Sequence, residues 1–350
     1  MWTLGRKSAS SGFDGKGEAR RNRVSGSARQ RGLLIGGLRP PSRGDFESDS
    51  QLPVKVASPV TWVGGKGRLL KHILPFIKPH HGESVYVEPF GGSGVVLINK
   101  DRHPCECYND TDGDLVNLFR VIRDPDGVVH LWWELINTPV SRQEFRDALE
   151  LGRQPHSPLT PVQKAASFVA RCRQRFGGGM TGSAHEDSDR SWGTTRTSSR
   201  GMGAQVSRWL SALEDFPAVH RRVATVVVDQ QDAVRCVGQW DSPSTLFYCD
   251  PPYVGHEDYY QGGFDEAAHR RLADSLNAAQ GRAVLSYYPC DLVDELYPKK
   301  SWRRHRVETF ASACGNAKRD PNGKAGKVRD CQKRVELILT NFDPSTRRRL

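Results

Sequence analysis

The segment whose residue types could do chemistry most directly is Asp250-Pro251-Pro252-Tyr253. It follows Leu246-Phe247-Tyr248-Cys249, an apolar run of the kind that forms a buried strand. Open α/β sheets bind ligands at the carboxyl ends of their strands. Asp250 offers a carboxylate and Pro251 a carbonyl, and the prolines fix φ and so hold that carbonyl in place. Two acceptors side by side suit an aromatic exocyclic amine, a poor nucleophile because its lone pair is delocalised into the ring. Hydrogen bonds to both amine hydrogens pull the nitrogen toward tetrahedral geometry and aim the lone pair at an electrophile. Tyr253 adds a ring that can stack on a base. The plainer reading is a Pro-Pro turn with a capping Asp; the apolar strand before it and a glycine loop upstream speak against that.

The upstream loop is Glu88-Pro89-Phe90-Gly91-Gly92-Ser93-Gly94, at the end of the apolar run Val85 to Val87. Its glycines let backbone approach a ligand closely. The third glycine of the dinucleotide fingerprint is missing from Val95 to Lys100, which disfavours a nicotinamide cofactor. Gly64-Gly65-Lys66-Gly67 is not a phosphate-binding P-loop, since no Ser or Thr follows the lysine and Val60 stands where the first glycine belongs. Asp110 closes the next predicted strand, where an acid accepts from ribose hydroxyls; taken alone it reads rather as a helix cap or a surface acid. Asp232 carries the same two readings. Trp62 and Lys66, flanking two glycines, precede the first sheet strand.

Positioning these residues requires a doubly wound sheet. The pattern predicts a helix over 67–77, a strand over 84–88, helices over 95–100 and 114–122 around a strand at 106–110, and helical stretches over 128–150, 161–174 and 206–216. Strands follow at 224–228 and 245–249, then a helix over 265–279, a strand at 282–287, and antiparallel edge strands at 302–310 and 334–341. Trp132-Trp133 reads as core.

The chain has 350 residues and a formal net charge of +11, which favours a polyanionic partner because lysine and arginine displace counterions from phosphates. No apolar run approaches the roughly 18 residues that span a bilayer. The N-terminus lacks a secretory pattern, so a cytoplasmic protein without a membrane partner is expected. Eight cysteines include no C-x-x-C pair, and reduced thiols with no metal are expected.

Together these segments resemble the DNA adenine methylase (Dam-like) family over roughly residues 59 to 342. The order matches: Trp-x-Gly-Gly-Lys at 62–66, Glu-Pro-Phe-x-Gly-x-Gly at 88–94, Asn109-Asp110, a variable insert, Asp-Pro-Pro-Tyr at 250–253 and a closing strand over 335–342. The resemblance implies a Rossmann-like doubly wound α/β methyltransferase sheet with a helical and loop target-recognition insert. It implies S-adenosylmethionine as cofactor, double-stranded DNA as partner, a monomer, and transfer to the N6 amine of a flipped-out adenine in a prokaryotic or phage setting. Trp62, Lys66, Glu88, Phe90, Gly92, Gly94 and Asp110 would form the cofactor pocket, and Asp232 would contact the cofactor adenine. Asp250, Pro251, Pro252 and Tyr253 would hold the target adenine, with Asp250 also facing the cofactor. Arg171, Arg173, Arg175, Phe176, Lys324 and Lys327 are the expected DNA contacts.

The domain organisation expected is a disordered basic arm at 1–55, sheet segments at 56–124 and 216–342 around an insert at 125–215, and a basic tail at 343–350. Phe176-Gly177-Gly178-Gly179 departs from the family's commoner Phe-Asn-Gly loop, so no recognition sequence follows. Cytosine enzymes more often carry Ser at the first position of the tetrapeptide and glutamine enzymes Asn, so Asp250 favours adenine. Cytosine N4, RNA adenine and a non-catalytic DNA-binding relative stand as alternatives.

Overall fold

The computed structural model describes residues 43–47, 55–62, 64–154, 158–175, 191–255, 263–310 and 333–346. The expected contacts Phe176, Lys324 and Lys327, most of the N-terminal arm and the end of the tail lie outside the described residues. The strands are β1 (Val85–Glu88), β2 (Cys105–Asn109), β3 (Ser198–Ser199), β4 (Met202–Gly203), β5 (Val227–Asp229), β6 (Thr245–Cys249), β7 (Arg282–Tyr287), β8 (Arg303–Phe310) and β9 (Lys333–Thr340). β3 and β4 pair as a small ribbon; the others form one sheet in the order β5-β2-β1-β6-β7-β9-β8. Its first five strands are parallel, and β9 runs antiparallel to both β7 and β8.

The chain winds outward from β1 through β2 to β5, then returns to lay β6 on the other side of β1. The order therefore reverses between β1 and β6, and a crevice opens at such a switch point. Glu88 ends one of these strands and Asp250 follows the other. β6 is buried at every position, as expected of a parallel strand covered on both faces.

Successive side chains of a strand point to opposite faces, and the core divides accordingly. Tyr86, Tyr108, Leu246 and Tyr248 join one cluster, while Val87, Cys107, Phe247 and Cys249 join the other. The first face is covered by α4 (Gly113–Arg123), α5 (Pro125–Ile136), α7 (Pro161–Gln174) and α8 (Ala204–Val223), with α6 (Arg142–Gly152) packed on α7. The second is covered by α9 (Ala233–Trp240), α10 (Glu266–Ala278) and α11 (Asp291–Leu296). The helices over 125–215 thus share one continuous core with the sheet.

Several expectations change. The helix expected over 67–77 is broken into a 3-10 turn at Lys66–Arg68, α2 (Leu70–Ile73) and a second 3-10 turn at Leu74–Phe76, since Pro75 cannot donate to a continuing ladder. The stretch 128–150 is two helices parted at Pro139, with Ser141 capping the second by accepting from Glu144 N–H at 3.1 Å. The boundary expected at 215 falls inside α8, which continues through Pro217 to Val223. Within the arm, α1 (Arg43–Glu47) buries Phe46 edge-on against His220, and Arg221 donates to the Asp45 carbonyl. Trp132 is core, whereas Trp133 is exposed.

Candidate active site at the switch point

The turn after β1 is shaped by its glycines. Gly92 and Gly94 have φ of +50° and +65°, a left-handed conformation costly for other residues, and Gly94 caps α3 (Val95–Asn99). A Cβ on Gly94 would stand 2.4 Å from the Phe119 ring, and one on Gly91 would stand 2.2 Å from Tyr108. The turn is tied down by Gly91 N–H donating to the Asn109 carbonyl (2.8 Å) and Tyr108 hydroxyl donating to the Gly92 carbonyl (2.7 Å). Buried Asn109 donates to the carbonyls of Pro89 and Gln231, and so joins the turns after β1, β2 and β5.

These turns enclose a cavity of about 560 Å³, within the roughly 300–1,000 Å³ of small-molecule sites. Trp62, Lys66, Glu88, Phe90, Gly92, Gly94's neighbours Ser93 and Val95, Asp110, Asp232, Asp250 and Pro252 line it. The sequence-predicted cofactor and catalytic groups are therefore brought together. Pro251 and Tyr253 are buried beside it. Sequence reasoning missed Asp112, Phe264 and Arg271, which also line the wall. Phe264 meets Phe90 edge to face, with ring centroids 5.4 Å apart. An aromatic just ahead of α10 was the available signal.

Among the described residues, five carboxylates (Glu88, Asp110, Asp112, Asp232, Asp250) face two cations (Lys66, Arg271) across this space. Burial pushes Glu88 up to about 8, against the hydroxyl of Tyr86 donating to its Oε1 at 2.6 Å. Burial likewise pushes Asp110 up to about 6, although the backbone N–H groups of Gly92 and Asp112 donate to its two oxygens. Asp232 caps α9, accepting from Val234 and Arg235 N–H through Oδ1; it is both a helix cap and a wall residue. Asp250 is also raised by burial, opposed by Lys66, whose Nζ lies 2.8 Å from Oδ1. That ammonium also donates to the Gly64 carbonyl and stands 4.8 Å from the centroid of the Tyr253 ring. The ring is buried, and its hydroxyl donates to Glu336 Oε2 at 2.8 Å.

Behind Glu88 lies a buried charge network that the sequence did not disclose. Glu106 accepts from Arg222 at both oxygens (2.6 and 2.8 Å) and from Lys100, whose ammonium sits 3.9 Å from the Tyr86 ring centroid. Burial draws Lys100 down to about 8.

The three arginines expected to contact DNA are bonded or buried within the fold. Arg171 is buried and paired with Asp114 at 2.7 Å, which fixes α7 to α4. Arg173 donates to the carbonyls of Ser58 and Pro59, and burial draws its guanidinium down to about 10. Arg175 is buried at the end of α7. These side chains, with Thr61 hydroxyl donating to the Cys172 carbonyl and Ser58 hydroxyl to the Ser93 carbonyl, hold the segment that delivers Trp62. Their helical period turned them inward, and charge alone did not reveal that.

The donor set fits a cofactor that is cationic and carries hydroxyls. The wall is acidic, its glycine turn has no room for side chains, and carboxylates end β1 and follow β2 where hydroxyl donors can be accepted.

A parallel sheet with a ligand cavity at its switch point, and Asp-Pro-Pro-Tyr after its central strand, defines an α/β enzyme of the methyltransferase type. A family model described as D12 class N6 adenine-specific DNA methyltransferase matches residues 62–312, well over half of the chain, and the protein belongs to that family. Comparison with curated proteins finds no match. Among solved structures the chain is similar to the rRNA methyltransferase aviRa from Streptomyces viridochromogenes, with 12% identity over 88% of this chain and 95% of that one and a TM-score of 0.32.

Proposed function

We propose that the protein transfers the methyl group of S-adenosylmethionine to N6 of an adenine flipped out of double-stranded DNA at a specific site. The observation that carries this reading is that one cavity joins the glycine turn after β1, the acids after β2 and the Asp250 turn after β6. Trp62, Phe90, Gly92 and Gly94 would cradle the cofactor, Glu88 and Asp110 would accept from its hydroxyls, and Asp232 would take its amino group. When bound, S-adenosylmethionine supplies a methyl carbon made electrophilic by the sulfonium.

The chain's own residues act on the amine. Asp250 accepts from one amine hydrogen and the Pro251 carbonyl from the other, which localises the lone pair. A carboxylate has lone pairs enough to serve both Lys66 and an amine. Lys66 opposes the effect of burial on Asp250 and favours its ionised, acceptor-only form. Turning a base out of the stack costs a few kcal/mol, and stacking on Tyr253 would offset part of it. The Tyr253 ring is buried beside the cavity, so a base reaching it must displace what covers its face. Alignment and preorganised acceptors supply the acceleration.

The segment 125–215 would present the target-recognition surface on the side of α5 to α8. The +11 charge suits a DNA partner, and the expected assembly is a monomer acting inside a prokaryotic cell.

Asp250→Ala should still bind S-adenosylmethionine measurably in calorimetry and transfer no methyl group to plasmid DNA. Retained turnover in that variant would sink the assignment.

A further inference from the structure

We propose that Glu336, on the closing strand β9, is a positioning residue for base capture: its carboxylate fixes the Tyr253 hydroxyl and so sets the plane on which the target base stacks. The inference rests on the catalytic reading of the Asp250 turn given above.

Glu336 is 7% exposed in the middle of β9, opposite Val307 of β8. Its Oε2 accepts from the Tyr253 hydroxyl at 2.8 Å. A buried carboxylate is costly unless bonded, and the partner given to this one belongs to the tetrapeptide rather than to the sheet around it. Tyr253 is held from other sides as well. The Lys66 ammonium stands 4.8 Å from its ring centroid, and the Tyr288 ring meets it edge-on at 4.5 Å and 78°. Lys66 is in turn anchored 2.8 Å from Asp250 Oδ1. The ring that would receive the base is therefore located from its hydroxyl end by Glu336 and from one face by the cation that steadies Asp250. Without the acceptor on β9, the hydroxyl is left to the neighbouring carboxylate of Asp250, and the ring would be free to turn toward it.

The effect belongs to DNA, not to the cofactor, because Glu336 stands outside the residues that line the cavity. The test uses the full-length chain, S-adenosylmethionine and unmethylated plasmid, with kcat/KM for DNA, cofactor affinity by calorimetry and Tm measured on five variants. Glu336→Gln keeps an oxygen acceptor at the hydroxyl and is expected within about threefold of wild type in kcat/KM for DNA. Glu336→Leu is expected to lose about tenfold or more in kcat/KM for DNA, with cofactor affinity unchanged. Tyr253→Phe should lose a similar factor. The double variant Glu336→Leu with Tyr253→Phe should be as active as either single, neither less nor more, yet melt higher than Glu336→Leu, since no buried polar group is left unmatched.

Wild-type kcat/KM in Glu336→Leu overturns the proposal. So does a double variant whose losses multiply, or one that regains activity along with its Tm, which is the mark of a purely structural bond. Full DNA methylation by Tyr253→Ala overturns the reading of the catalytic turn and this proposal with it, whereas loss in Tyr253→Ala beside an unaffected Glu336→Leu overturns the positioning role alone.

Discussion

Asp250, Glu88 and Asp110 are acids held in a space that resists their ionisation, and the proposed function uses each as an acceptor. Burial raises all three, with Glu88 at about 8 and Asp110 at about 6. A cationic cofactor that donates hydroxyls favours the ionised form, so binding must lower these values and release protons. The sign follows from the raised starting points: at pH 7 Glu88 is mostly protonated and must give up its proton to accept, so affinity should rise from pH 6 to pH 8. Titration calorimetry in two buffers of different ionisation enthalpy at pH 7 is expected to record net proton release, reduced in Glu88→Gln. Proton uptake would contradict these acceptor roles. The residue scale is also where the sequence was most and least legible. Trp62, Lys66, Glu88, Asp110 and Asp250 converge as their motifs implied, because each motif sits at a strand end or turn that the sheet fixes. Arg171 and Arg173 do not face outward, because burial depends on which neighbour covers a helix face, and that is a tertiary fact. Glu336 was visible only as part of a closing strand; its bond to Tyr253 joins β9 to the turn after β6, across the intervening β7, a placement the sequence alone could not give.

At the scale of elements, the glycine turn is the most exacting piece. Gly94→Ala must pay for a left-handed φ and for a Cβ 2.4 Å from the Phe119 ring, and should cost about 2–5 kcal/mol of stability. Gly82→Ala, also at positive φ but with open space around its Cβ, should cost only about 1–2 kcal/mol. Urea midpoints of the two variants check the difference, and equal losses would mean that the Phe119 contact is not tight. The strands β6 and β7 lie where their apolar runs indicated. Helices α9 and α11, of eight and six residues, carry too few turns to register as a periodic pattern. The break of the 67–77 helix was encoded in Pro75, and that of 128–150 in Pro139; at both, apolar spacing outweighed the proline in the sequence reading.

For the whole molecule, the charge of +11 leads to affinity for DNA that falls steeply with salt. Because Arg173 is half-buried and bonded to backbone carbonyls, Arg173→Met should lower stability by about 1–3 kcal/mol while leaving the slope of log K against log salt unchanged. A shallower slope in that variant would mean that the guanidinium reaches phosphate after all. The helices of 125–215 share their core with the sheet, so the two form one packed body. The central claim is the reaction itself, and nucleoside mass spectrometry tests it most directly. Unmethylated plasmid incubated with the protein and S-adenosylmethionine, then digested, should yield N6-methyladenine that is absent with Asp250→Ala. N4-methylcytosine in the same digest, or no modified nucleoside while the cofactor still binds, would contradict it.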